Sequence, residues 1–102
     1  MTRDEIIAKL KEAAPLLRAE GVTSLAIFGS RARGDAREDS DLDVLIDIDP
    51  ARGYEGLRLV GVIADAERAV SALTGIPTQA TMRSSIEPRF AERIADDVVE
   101  VF

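Results

Sequence analysis

The sequence predicts an α/β domain of the α+β kind, a small mixed β-sheet flanked by helices. Three observations lead there. Residues 41–49 alternate apolar and acidic side chains, the signature of a strand with one buried face. Leu25-Ala26-Ile27-Phe28 is a short apolar run that stops at Gly29. Segments with helical spacing precede, separate and follow these runs, giving the order α-β-(α)-β-α-β-α-β. At 102 residues, with 46% hydrophobic residues spread along the chain, a single domain over residues 1–102 is expected.

Each element has its own signal. Thr2-Arg3-Asp4-Glu5 has the form of a capping box, so a first helix should start there. Ile6, Leu10, Ala13 and Leu17 give it one apolar face. Pro15 is expected to kink or split it, and Gly21 to stop it. The run 25–28 reads as a buried strand, followed by a polar stretch, 30–40, with room for a helical turn. In the next strand Leu42, Val44, Ile46 and Ile48 should face the core, and Asp41, Asp43, Leu45, Asp47 and Asp49 an acidic face. Pro50 and Gly53 end it. Residues 55–74 form the longest helical candidate, weakened by Gly61 and stopped by Gly75. A third strand is expected over 76–82, at an edge because of Pro77. A helix from Ser84 or Ser85 to about Ala95 and a terminal strand over 98–102 complete the pattern.

Composition excludes several chemistries. The chain has no cysteine and no histidine, so disulfides, thiolate sites and imidazole catalysis are absent. A metal ion would have to sit among oxygen atoms, which favours Mg²⁺ or Mn²⁺ over Ca²⁺. The net charge of −6 argues against non-specific nucleic-acid binding. No apolar stretch reaches the roughly 20 residues of a membrane helix, and the N-terminus lacks a signal-peptide pattern. A cytoplasmic location without membrane contact is the expectation.

The chemistry-bearing residues cluster in one region. Gly29-Ser30 follows a strand, so its backbone N–H groups and the Ser30 hydroxyl can meet a phosphate. Gly29 and Gly34 have P-loop spacing, but Asp35 and Ala36 stand where Lys and Ser/Thr are needed, so that motif is rejected. Asp39, Asp41 and Asp43 resemble the start of a calcium loop. Val44 and Pro50 occupy the places of its obligatory Gly and Glu, so that reading fails too. Asp41 and Asp43 lie on one strand face roughly 7 Å apart, close enough to share one ion or bridge two. Arg31, Arg33 and Arg37 form a basic rim between the turn and the acids. Arg31 and Arg33 join Gly29 and Ser30 as candidate nucleotide-binding residues.

The pattern Gly29-Ser30-x10-Asp41-x-Asp43, set in Leu25-Ala26-Ile27-Phe28-Gly29-Ser30-Arg31-Ala32-Arg33-Gly34, resembles the minimal nucleotidyltransferase domains of the DNA polymerase β-like superfamily. The resemblance covers nearly the whole chain, including Glu87-Pro88-Arg89-Phe90-x2-Arg93-Ile94. It implies the polymerase β-like nucleotidyltransferase fold and ATP-dependent transfer of a nucleotidyl group. Gly29 and Ser30 would cradle the β- and γ-phosphates, and Asp41 and Asp43 would hold Mg²⁺ (or Mn²⁺) against the triphosphate.

Many stand-alone members are antitoxins paired with a helical HEPN ribonuclease toxin, and some add AMP to a tyrosine of that toxin. An ATP substrate and a HEPN-type partner are therefore expected. The family usually carries a third carboxylate on the next core strand, which binds metal and activates the attacking hydroxyl. Here Gln79 takes that place in Pro77-Thr78-Gln79-Ala80-Thr81-Met82, offering a carbonyl oxygen but no base. Asp47 is the acid that would substitute. The alternative is a domain with weak or no catalysis that neutralises its partner by binding alone.

Overall fold

A computed structural model describes residues 1–102. Four α-helices and four strands follow one another as α1 (Arg3–Ala19), β1 (Val22–Phe28), α2 (Ser30–Arg33), β2 (Leu42–Ile48), α3 (Gly56–Thr74), β3 (Thr78–Met82), α4 (Pro88–Ile94) and β4 (Val99–Glu100). The strands form one mixed sheet in the order β3-β2-β1-β4. β1 runs antiparallel to both β2 and β4, while β2 and β3 are parallel, connected by α3.

The capping box forms in full. Glu5 N–H donates to Thr2 Oγ1 (3.2 Å) and Thr2 N–H to Glu5 Oε1 (3.3 Å). Ile6, Leu10, Ala13 and Leu17 are buried, as their spacing predicts. Pro15 does not split α1. It lies on the solvent side, as does Lys11, whose carbonyl loses its helical donor and is left to water.

β1 begins at Val22, earlier than the apolar run suggests. Val22 pairs with Ile48, and the register shifts between Val22 and Ser24, so polar Thr23 can occupy an irregularity. β3 is shorter than expected because Ile76 and Pro77 precede the ladder. α4 starts at Pro88, after a 3₁₀ turn over Arg83–Ser85, since proline suits the first helical position.

One sheet face packs under α1 and α3. Its core includes Ile6, Leu10 and Leu17 from α1, Leu25 and Ile27 from β1, Leu42, Val44 and Ile46 from β2, and Ala66 and Val70 from α3. The other face, which alternation predicts to be acidic with Leu45 among its residues, carries an apolar cluster as well. Leu45 is only 2% exposed there, in a small cluster with Ala26, Phe28 and Ile94. Phe90 of α4 meets Phe28 edge to face, with ring centroids 5.9 Å apart. The helix therefore covers the middle of this face and leaves Asp43 beyond its apolar cluster. At the sheet margin, Ala80 N–H of β3 donates to Glu67 Oε2 of α3 (2.8 Å). No helix is long and apolar enough to cross a membrane.

Candidate active site

The site is built where β1 ends. Gly29 turns the chain with φ 75° and ψ −158°, a conformation that a Cβ makes costly. A second constraint acts at the same position. A Cβ on Gly29 would stand 2.8 Å from Asp43 Oδ2, so any larger residue there would have to push that carboxylate aside. Ser30 then opens the single turn α2, whose Ala32 and Arg33 N–H groups donate to Gly29 O (3.1 and 3.0 Å). Ala32 is buried and anchors the turn. The N–H groups of Ser30 and Arg31 have no partner within so short a helix.

The spacer is held by its own arginine. Arg31 donates through Nη2 and Nε to Ser40 O (2.8 and 3.3 Å) and through Nη2 to Glu38 O (3.3 Å). Ser40 Oγ in turn accepts from Arg37 N–H (2.9 Å). These bonds fix the approach to Asp41. Arg33 pairs with Asp35 (3.1 Å) and, across the fold, with Asp97 (3.0 Å). The basic rim is thus partly spent internally: Arg31 braces a loop and Arg33 clips it to the C-terminal segment. Of the three only Arg33 forms ion pairs, and the Arg37 side chain makes neither an ion pair nor a hydrogen bond. The Arg31 contacts leave a weak trace in sequence, since a long side chain beside a Gly-rich turn gives no hint of its acceptors.

Asp41 immediately precedes β2 and is exposed; Asp43, two residues on, is half-buried on the same side. The register sets Asp43 between Phe28 of β1 and Gln79 of β3. Gln79 thus lies beside Asp43, on the same sheet face, and is exposed. Burial first, and then the neighbouring Asp41 carboxylate, raise the pKa of Asp43 above the ordinary carboxylate value. No three acidic side chains converge on one point. The donor set is two carboxylates and a nearby amide, all oxygen, with like charges that a divalent cation would relieve. Hard ions such as Mg²⁺ fit this set.

Asp47 does not supply the missing base. It lies four residues from Asp43, about 13 Å along the strand. Its Oδ2 accepts from Ser24 Oγ (2.7 Å) and lies 3.7 Å from Arg83 Nε. It belongs to a separate polar group completed by the Arg83–Glu100 pair (2.7 Å).

A family model described as nucleotidyltransferase domain matches residues 4–100. The chain belongs to that family. Protein adenylyltransferase MntA of Thermococcus cleftensis is 33% identical over 81 residues, which cover 79% of this chain and 76% of the relative. MJ0126 of Methanocaldococcus jannaschii, which carries protein adenylyltransferase as a provisional name, is 35% identical over 98 residues, 95% of this chain and 92% of its own. A solved structure described as a minimal nucleotidyltransferase superposes with a TM-score of 0.75 at 29% identity, covering 97% of this chain and 95% of the other. The nucleotidyltransferase fold and its mixed sheet are therefore those the sequence predicts. In this fold the Gly29-Ser30 turn lies beside the start of the acidic strand β2.

Proposed function

We propose that this nucleotidyltransferase binds ATP with Mg²⁺ or Mn²⁺ and transfers AMP to a hydroxyl group of a partner protein, a HEPN-type ribonuclease toxin, as its antitoxin. One nucleotidyltransferase domain, residues 1–102, carries the activity. The observation that carries this reading is the nearness of the Gly29 turn to Asp43, such that a Cβ added at Gly29 would stand 2.8 Å from Asp43 Oδ2, so that the turn and the acids form one site. The relatives named as protein adenylyltransferases support a protein acceptor.

In this reading the Ser30 hydroxyl and the free N–H groups of the α2 turn receive phosphate oxygens. Asp41 and Asp43 hold the cation, which when bound neutralises charge on the triphosphate. Arg31 positions the spacer from which Asp41 projects, and Arg33 and Arg37 contribute positive field at the rim. Gln79 adds an amide to the side of Asp43 and cannot remove a proton from the acceptor. The acceptor oxygen bonds to the α-phosphorus of ATP, its proton passes to water or to a group of the partner, and the bond from the α-phosphorus to the bridging oxygen breaks to release pyrophosphate. The acidic chain suits a basic partner surface.

Gln79 also favours a second reading, in which the domain keeps its nucleotide site but neutralises its partner by docking. Loss of a general base costs about 10²–10⁴-fold in rate. Transfer of α-labelled ATP to the protein encoded beside this one, with native and Gln79→Asp chains in parallel, separates the two. Label with the native chain supports AMP transfer. Label only with Gln79→Asp supports docking, and label with neither counts against both the acceptor and the activity.

A further inference from the structure

Helix α3 is built in two unequal halves. Its C-terminal half supplies Ala66, Val70 and Thr74 to the interior. Its N-terminal half, residues 56–65, supplies no buried residue, yet only Arg58 and Asp65 in it are charged. Leu57 is 89% exposed and Val60 61%, the two most exposed large apolar side chains of the molecule. Leu57, Gly61 and Ala64 lie at i, i+4 and i+7, a smooth stripe facing away from the sheet.

Gly61 has no reason to be glycine within this chain. It is mid-helix, where glycine is the poorest residue after proline, and a Cβ there would meet nothing within 4 Å. Its φ is not positive, so the backbone does not require it. A glycine facing open space on an apolar stripe fits the close approach of another helix.

The pattern of charge identifies that helix. Reflected about the Gly61–Val62 bond, Arg58 falls on Asp65 and Glu55 falls on Arg68. The same reflection matches Val60 with Ile63 on the opposite flank. Such a sequence complements itself in an antiparallel arrangement, the requirement of a twofold interface in which one patch meets its own copy. Arg58 and Asp65 lie on one flank, and same-flank residues meet across an antiparallel pair. Both are exposed: Arg58 lies over the Tyr54 ring at 5.2 Å, and Asp65 accepts from Arg68 of its own helix. An acceptor from a second copy adds to these contacts without breaking the fold.

We infer that the N-terminal half of α3 is a self-association surface, on which a second copy of this chain packs its own α3 antiparallel with the dyad beside Gly61. The stripe lies away from the candidate active site. Leu59 of α3 lines a recess with Asp47, Ile48 and Met82, at the far ends of β2 and β3 from Asp43 and Gln79. A dimer therefore leaves both active sites open, and the inference is independent of the acceptor proposed above.

Sedimentation velocity over a concentration series tests it. The native chain is expected to reach twice its monomer mass, and Leu57→Glu to remain at the monomer mass with unchanged circular dichroism. Arg58→Asp alone and Asp65→Arg alone should each lose the dimer, because each sets like charges opposite one another twice. An equimolar mixture of these two variants should recover it as a heterodimer, which only this antiparallel register predicts. A native chain that stays monomeric throughout overturns the inference and leaves the stripe to a different partner. A native dimer that survives both charge reversals, or a mixture that stays monomeric, overturns the assigned register.

Discussion

Asp43 and Asp47 stand on the same face of the same strand, and the fold treats them in opposite ways. Asp47 is neutralised from within: Ser24 donates to it and Arg83 lies beside it. Asp43 is given a second carboxylate, Asp41, and enough burial to disfavour its charge. No side chain of the protein forms an ion pair with either Asp41 or Asp43. A strand that can compensate one carboxylate and leaves another uncompensated two pleats away is carrying a stability cost at the second position. That cost is rational where an external cation relieves it.

The largest expected effect breaks this contrast at its functional end. Asp43→Asn should reduce Mg²⁺-dependent ATP binding on the order of 10²-fold or more, as removal of a charge partner does. The same substitution should leave the metal-free melting temperature equal or higher, because a buried repulsion is gone. Calorimetric titration and thermal melts read the two effects separately. Unchanged binding in both Asp41→Asn and Asp43→Asn would remove these acids from the site.

Gly29→Ala should lower both quantities together. The positive φ and the close approach to Asp43 Oδ2 predict a destabilisation of about 1–3 kcal/mol. Chemical denaturation measures it, and a loss below the error of that method would mean that the turn relaxes freely. At Asp47 the signs reverse. Asp47→Ala should cost about 1 kcal/mol of stability by leaving Ser24 and Arg83 with fewer partners, while ATP binding is unchanged. A loss of binding there would show that the two ends of β2 are not independent.

The smallest effect is one of pH. The raised pKa of Asp43 means that the folded state holds its proton more tightly than the unfolded chain does. That contribution is fully present below the ordinary carboxylate pKa and is lost as pH rises through the raised value. The melting-temperature gap between Asp43→Asn and the native chain should therefore close as acid is added through that window. A gap that is constant with pH would assign the effect to packing rather than charge.

The parts of this molecule that sequence made legible are those set by local rules. Helical spacing placed Ile6, Leu10, Ala13 and Leu17 on one buried face, and alternation placed Leu42, Val44 and Ile46 on another. The Gly29-Ser30 turn and the Asp41-x-Asp43 pair were visible because their spacing is itself the signal. What sequence hid depends on residues far apart in the chain. Leu45 is buried because α4 returns over it, and Arg33 is neutralised by Asp97, 64 residues away. Asp47 looked equivalent to Asp43 because alternation reports a face and is blind to which cation will arrive there. Pro15 leaves α1 unsplit for a related reason, since its effect depends on whether the orphaned carbonyl faces water.

The bond from Ala80 to Glu67 has a consequence for the behaviour of the protein in crowded solution. β3 is one of the two edge strands, and Thr78-Gln79-Ala80-Thr81-Met82 carries no charge to repel another strand. Bare margins of this kind are templates on which further chains add, strand upon strand, toward aggregates. Here a helix lends a carboxylate that occupies a donor at the centre of that margin, so an incoming strand meets a negative charge where it needs a carbonyl.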